Sequence, residues 1–300
     1  MIDARERDYR RQVNEVTSTR FLPGTSIEVI RDVRLATPPK HALFDFDGTL
    51  SLIREGWPQV MVPMMVSVLR ETGTDESPER LHEMVHAFVM ELNGKQTIYQ
   101  MIRLAEEVAK RGGKPPDPLE YKRRYLSLLL ERIRVRREAL ASGRTSPDGL
   151  MVPGSRDILR GLLDRGVRIY LASGTDEKYV MEEVRMLGLD KYFGPSVYGA
   201  IDDYKSFSKQ TVIDRIFREN GIQGPALVGF GDGYVEIDNV KASGGTAVAV
   251  ASDEAGRSGR PDAWKRDRLV GVGADIVIPD FRESGALLKY LWGEDAPDAP

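Results

Sequence analysis

Cysteine is absent from this 300-residue chain. Its absence excludes disulfides, thiolate zinc sites and cysteine nucleophiles, and it fits an intracellular protein. An excess of charge of either sign is lacking too. The 43 Lys and Arg stand against 46 Asp and Glu, a formal net charge of −3, so the chain advertises no surface for nucleic acid or an anionic membrane. Long apolar runs are also missing. The greasiest stretch, residues 60–69, is broken by Pro63 and Ser67 and falls far short of the ~20 residues of a membrane helix. Residues 1–20 are strongly charged without an apolar centre, which is not the pattern of a secretory signal. The expectation is a cytoplasmic protein whose partner is a small molecule, with no nucleic acid and no membrane. Composition leaves the oligomeric state open.

What is present, 41% apolar and 30% charged residues, describes a globular chain long enough for one large domain or two moderate ones. Apolar strand-like runs followed by helical periodicity recur at residues 42–46, 167–172, 226–229, 246–251 and 274–278, with a shorter candidate at 196–201. That rhythm predicts an α/β fold with five or six parallel strands. Between residues 50 and 153 it gives way to helical patterns at 58–71, 78–92, 97–111 and 118–141, separated by Gly- and Pro-rich turns. The predicted organisation is a core of residues 41–54 and 150–292, interrupted by an all-helical cap at 55–149. Segments near 52–56 and 146–154 serve as hinges. Residues 1–40 form an N-terminal extension packed on the core, with a helix and an added strand at 27–33. The acidic, proline-rich tail 293–300 frays.

The chemistry gathers at strand ends. Leu43-Phe44-Asp45-Phe46-Asp47-Gly48-Thr49 is an apolar strand stopped by a tight turn, with two aspartates at its tip. In open α/β sheets ligands collect at such carboxyl ends. Two like charges one residue apart repel unless a cation or shared proton intervenes, and a divalent metal is the simplest remedy. A second strand runs into Ser173-Gly174-Thr175, a hydroxyl and an unhindered amide suited to an anionic oxygen. A third runs into Gly231-Asp232-Gly233-Tyr234-Val235-Glu236, which adds two carboxylates of the kind Mg²⁺ prefers. Lys209 opens an amphipathic helix at 210–219, where the macrodipole disfavours a cation by ~0.3–1 kcal/mol and an anionic ligand would compensate.

In order and spacing these pieces resemble the haloacid dehalogenase superfamily of phosphohydrolases, over residues 42–281. Asp45 to Thr49 matches its Asp-x-Asp-Gly-Thr motif, Ser173 its second and Lys209 its third, with Lys205 a weaker match. Gly231, Asp232 and Glu236 match its fourth, with glutamate in place of the second aspartate. The helical insert matches the superfamily's C1-type cap, and the resemblance implies a Rossmann-like core. It also implies Asp45 as nucleophile forming an aspartyl-phosphate, Asp47 as general acid and base, and Ser173, Gly174 and Lys209 as phosphate-binding groups. Mg²⁺ would lie among Asp45, Asp47, Asp232 and Glu236. The substrate is then a small phosphate monoester such as a sugar phosphate. A phosphomutase or phosphotransferase of the same superfamily is the alternative. Arg54 and Trp57 near the hinge, and Lys95 in the polar turn Asn93-Gly94-Lys95-Gln96-Thr97 with Thr97 as helix cap, are candidate substrate contacts.

A rival from another class is a zinc peptidase, since His82-Glu83-Met84-Val85-His86 places two imidazoles one helical turn apart, with Glu106 or Glu107 as a third ligand. The apolar spacing of Val85, Phe88, Val89 and Leu92 reads instead as an ordinary packed helix with the histidines at its margin.

Overall fold

In a computed structural model describing residues 8–13, 18–33 and 38–294, eight strands form one sheet. They are β1 (Arg20–Phe21), β2 (Glu28–Val29), β3 (His41–Phe44), β4 (Arg168–Asp176), β5 (Val197–Ala200), β6 (Leu227–Gly231), β7 (Thr246–Val250) and β8 (Ile276–Ile278). Their spatial order is β1-β2-β8-β7-β6-β3-β4-β5. The six strands from β3 to β5 and β6 to β8 pair in parallel, and β1 and β2 join antiparallel at the β8 edge. All four residues of β3 are buried, as a central parallel strand covered on both faces requires. Ala42 and Phe44 point into one core, and Leu43 into the other. Phe44 stacks on Phe230 of the neighbouring strand, with ring centres 4.5 Å apart.

Eleven helices are seen among the described residues. Between β3 and β4 come α1 (Pro58–Arg70), α2 (Pro78–Glu91), α3 (Thr97–Lys110), α4 (Pro118–Ala141) and α5 (Ser155–Asp164). Then follow α6 (Glu177–Met186), α7 (Asp190–Phe193), α8 (Lys209–Asn220), α9 (Tyr234–Ala242), α10 (Ala263–Gly271) and α11 (Ser284–Trp292). Apolar residues of α5, α6 and α11 cover one face of the sheet, and those of α8, α9 and α10 the other. The cap consists of α1 to α4. Proline opens α1, α2 and α4, where a missing N–H costs nothing, and Ser77 and Asp117 accept backbone N–H groups as caps of α2 and α4.

Several boundaries differ from the sequence reading. The strand at 27–33 shrinks to Glu28–Val29, and the first forty residues hold no helix where they are described. The strand at 42–46 ends at Phe44, which leaves both aspartates beyond it. Conversely β4 continues through Ser173 to Asp176, with a register shift against β5. Gln96 rather than Thr97 precedes α3, without a side-chain cap. Its amide instead donates to the Phe207 carbonyl at 2.8 Å, tying the cap to the core. Helix α11 stops at Gly293, a left-handed cap, and most of the expected tail, 295–300, lies outside the described residues. Among the described residues no helix is long and apolar enough to cross a membrane.

Candidate active site

Beyond β3 the Asp45 N–H still donates to the Phe230 carbonyl at 2.9 Å, so the sheet fixes this aspartate although the strand has ended. The chain then turns sharply. The Phe46 carbonyl accepts from Leu50 and Ser51 at 2.8 and 2.9 Å, and Gly48 takes φ 73°. A Cβ on Gly48 would stand 2.2 Å from Asp232 Oδ2, so both backbone angle and space demand glycine. Thr49 Oγ1 donates to Asp232 Oδ1 at 3.2 Å and accepts the Asp232 N–H at 3.0 Å, joining the first strand end to that of β6.

Ser208 and Thr211 form a capping box at the start of α8, which directs Lys209 inward. Its ammonium, 1% exposed, lies 3.0 Å from Asp45 Oδ1 and also contacts Glu236 Oε1 from the first turn of α9. Burial pushes the Asp45 carboxyl above its ordinary value, Lys209 opposes this, and the charge of Asp232 adds to it. Asp47 is raised to about 7. Burial is the main cause, reinforced by Glu183 and opposed by Arg54 and by the Thr175 hydroxyl, which donates to Asp47 Oδ2 at 2.8 Å. The Asp47 side chain keeps 26% of its surface open at the cleft mouth. Ser173 Oγ accepts the Thr175 N–H at 3.1 Å, and Gly174 lies beneath the cap loop. Asp45, Asp47, Ser173, Gly174, Lys209 and Asp232 thus line one cleft of about 730 Å³, counting the space at its open mouth.

Trp57 lines the cap side of this cleft as the residue before α1. Arg54 lines it too, but its guanidinium is committed: it donates to both oxygens of Glu183 at 3.1 and 2.8 Å, and Glu183 is fully buried. Asp47 Oδ1 is 3.8 Å away. Burial works against the Arg54 charge, yet Glu183 and Asp47 together hold it above an ordinary arginine. Lys95 belongs to the cleft wall through its loop, but its ammonium pairs with Asp8 at 2.6 Å and sits over the Tyr99 ring. Neither cation expected to meet substrate is therefore without a carboxylate.

The sequence reading sets the metal among Asp45, Asp47, Asp232 and Glu236, with Asp47 contributing its main-chain carbonyl. Among the described residues no three His, Cys, Asp or Glu side chains are gathered as a metal cluster. Glu236 is drawn to Lys209, because its longer arm reaches the ammonium. Two carboxylates, Asp45 and Asp232, with the main-chain carbonyl of Asp47 remain as hard oxygen donors, which is the chemistry of a Mg²⁺ site completed by water. Such a cation fits the local charge: Asp45 and Glu236 share the single Lys209 ammonium, and Glu236 Oε2 is buried without a hydrogen-bond partner. The zinc reading finds no support. His82, Glu83, His86 and Glu106 are exposed, and Glu107 is held by Lys110 and Arg111 at 2.8 Å. Lys205 is exposed as well and plays no part.

Residues 39–244 match the profile of the haloacid dehalogenase-like hydrolases, a span that includes β3, β4, β6, Lys209 and Glu236. The chain belongs to this hydrolase family. No curated protein matches its sequence. Solved structures share its fold. A predicted phosphoglycolate phosphatase from Haemophilus somnus 129PT is 16% identical with a TM-score of 0.54, over 84% of this chain and 99% of that one. A β-phosphoglucomutase from Clostridium difficile is 11% identical with a TM-score of 0.55, over 85% and 98%. A member from Deinococcus radiodurans R1, solved with bound phosphate and sodium, is 20% identical with a TM-score of 0.51, over 85% and 96%.

This hydrolase also carries groups at its cleft to which sequence reasoning assigned no role. Glu254 lines the cleft just after β7. Lys265, near the start of α10, donates to Glu254 Oε1 at 2.7 Å and Ser252 Oγ at 3.0 Å, and pairs with Asp232 Oδ2 at 2.9 Å. Burial opposes the Lys265 charge, but Asp232 and Glu254 more than offset it and hold the group above an ordinary lysine. Burial raises the Glu254 carboxyl, with Lys265 opposing. Ser252 Oγ donates to the Gly48 carbonyl at 2.6 Å, so this network braces the first turn. Both Glu254 and Lys265 lie outside the matched span. Glu183 had no local signal, since it is 129 residues from Arg54.

Proposed function

We propose that this hydrolase is a Mg²⁺-dependent phosphomonoesterase acting on a small phosphate ester through an aspartyl-phosphate on Asp45. The observation that carries the reading is the pairing of a buried Asp45, 3.0 Å from Lys209, with Asp47, whose carboxyl is raised to about 7. A general acid must be protonated near neutrality, as the raised Asp47 is, and a nucleophile ionised, which the Lys209 ammonium favours at Asp45 against the burial that pushes that carboxyl up.

In the first step an Asp45 oxygen bonds to phosphorus as the bond to the leaving oxygen breaks, and Asp47 gives its proton to that oxygen. In the second, Asp47 takes a proton from water as the water oxygen bonds to phosphorus, the acyl-phosphate bond breaks and Asp45 is restored. Lys209, the Ser173 hydroxyl and the Gly174 N–H hold the phosphoryl oxygens, and losing such a donor typically costs ~10²–10³ in rate. Mg²⁺ held by Asp45, the Asp47 carbonyl and Asp232 would offset the repulsion between carboxylate and phosphate.

The test is release of inorganic phosphate from p-nitrophenyl phosphate and a panel of phosphorylated metabolites. Turnover with Mg²⁺ that disappears after chelation and desalting, and returns with added Mg²⁺, is expected. Turnover unaffected by chelation counts against the assignment.

A further inference from the structure

The charges around the cleft narrow the substrate. A leaving group with a second phosphate or a carboxylate needs a cation to receive it, and each candidate is already engaged. Arg54 is bound through two hydrogen bonds to the fully buried Glu183, which cannot swing out to solvent. The Lys95 side chain is 3% exposed, and its ammonium lies over the face of Tyr99 and pairs with Asp8, whose own side chain is 88% exposed. Lys209 is held between Asp45 and Glu236, where the transferred phosphoryl group must bind. Lys265 is shared between Asp232 and Glu254.

The wall beside Asp232 carries an acceptor instead. Glu254 gives one oxygen, Oε1, to Lys265 at 2.7 Å, while its Oε2 has no hydrogen-bond partner among the described residues. Glu254 lines the catalytic cleft and also an outer groove of about 840 Å³ that opens from it. Trp57 lines both spaces as well. An acceptor oxygen for hydroxyls and an indole for C–H surface lining the same two spaces are the chemistry that recognises a polyol, whereas a second anion beside Glu254 would meet like charge and no available cation.

On the phosphatase reading given above, we propose that the leaving group is neutral and polyhydroxylated, a sugar or sugar alcohol carrying one phosphate, with Glu254 accepting a hydroxyl and Trp57 packing against the carbon skeleton. The same arrangement disfavours esters with a second anionic group, such as phosphoglycolate. It also disfavours a mutase cycle that passes through a sugar bisphosphate, because the distal phosphate finds no partner.

The experiment uses the full chain with Mg²⁺ and compares kcat/KM for p-nitrophenyl phosphate, sorbitol 6-phosphate, phosphoglycolate and glucose 1,6-bisphosphate. The sugar-alcohol monophosphate should exceed both competitors that carry a second anionic group by roughly 100-fold or more, the scale expected when a competitor leaves charges unpaired. Glu254→Gln keeps an oxygen for Lys265 and should lower the ratio of sorbitol 6-phosphate to p-nitrophenyl phosphate turnover by about tenfold, the loss of roughly one hydrogen bond to a charged acceptor. Glu254→Lys should raise phosphoglycolate relative to sorbitol 6-phosphate. Equal kcat/KM for the neutral and anionic leaving groups, or a preference for phosphoglycolate, overturns the proposal while leaving the phosphatase reading standing. An unchanged ratio in Glu254→Gln overturns the role of that residue. Failure of the wild-type protein to hydrolyse any of the four esters overturns the phosphatase reading and this proposal with it.

Discussion

The carbonyl oxygen of Lys95, on the cap, lies 2.9 Å from the point where a Cβ on Gly174, on the core, would stand. Gly94 approaches Gly233 almost as closely, with a Cβ there 3.1 Å from the Gly233 Cα. The cap loop is therefore seated directly on two of the strand ends that build the site. Gly174→Ala pushes backbone against backbone, and overpacking of this kind costs ~1–3 kcal/mol. Because the strain exists only with the cap seated, we expect kcat/KM to fall by about tenfold or more with little change in thermal midpoint. Unaltered kinetics would show that the loop yields freely.

Glu183 tests how far the cap hinge depends on a buried charge pair. Truncation by Glu183→Ala leaves the buried Arg54 guanidinium with only Asp47, 3.8 Å away, and should cost up to ~3–5 kcal/mol in urea unfolding. Replacing both partners, Arg54→Met with Glu183→Leu, should recover much of that loss, since an apolar pair needs no desolvation. A double variant as unstable as the single one would contradict this account.

Asp47 sets two pH dependences. Its carboxyl is raised to about 7, so the stability it contributes is complete below the ordinary aspartate value near 3.8 and is lost as pH rises towards 7. Its protonated form is the one that donates to the leaving oxygen, so turnover of an alkyl phosphate should decline as pH climbs through about 7. p-Nitrophenolate leaves without a proton, and its turnover should decline less. Identical alkaline limbs for both substrates would remove Asp47 from the proton-donor role.

Mg²⁺ should stabilise the folded protein as well as activate it. At a hundredfold excess over Kd the linkage is worth about 2.7 kcal/mol, visible as a rise in melting temperature. Asp232→Asn should abolish that rise. Glu236→Gln should reduce it less, because Glu236 touches Lys209 rather than the proposed donor set. A rise of the same size in Asp232→Asn would place the cation elsewhere.

The parts legible in the sequence were those written into contiguous residues. The run from Leu43 to Thr49 announced a buried strand ending in a turn that carries two aspartates, and the periodicity after Pro58 announced the cap helices, because burial and helix period act over a few residues. Pairings across the fold were not legible. Arg54 reads as a free cation near the hinge until Glu183 arrives on α6, and Lys95 reads as a loop tip until Asp8 reaches it. Glutamate in place of aspartate at position 236 leaves its contact with a metal, direct or through water, open in the sequence, and its contact with Lys209, which enters from the start of α8, is not written there at all. Gln96 displaced Thr97 as the residue before α3 because its amide has a carbonyl of the core to bind.

The central claim is that Asp45 carries the phosphoryl group. Beryllium fluoride mimics an acyl-phosphate, and a crystal grown with it and Mg²⁺ reads the claim directly. The account predicts a trifluoroberyllate bonded to an Asp45 carboxylate oxygen, with Lys209 and the Gly174 N–H on its fluorines. The adduct on Asp47 instead, with Asp45 bare, would contradict it.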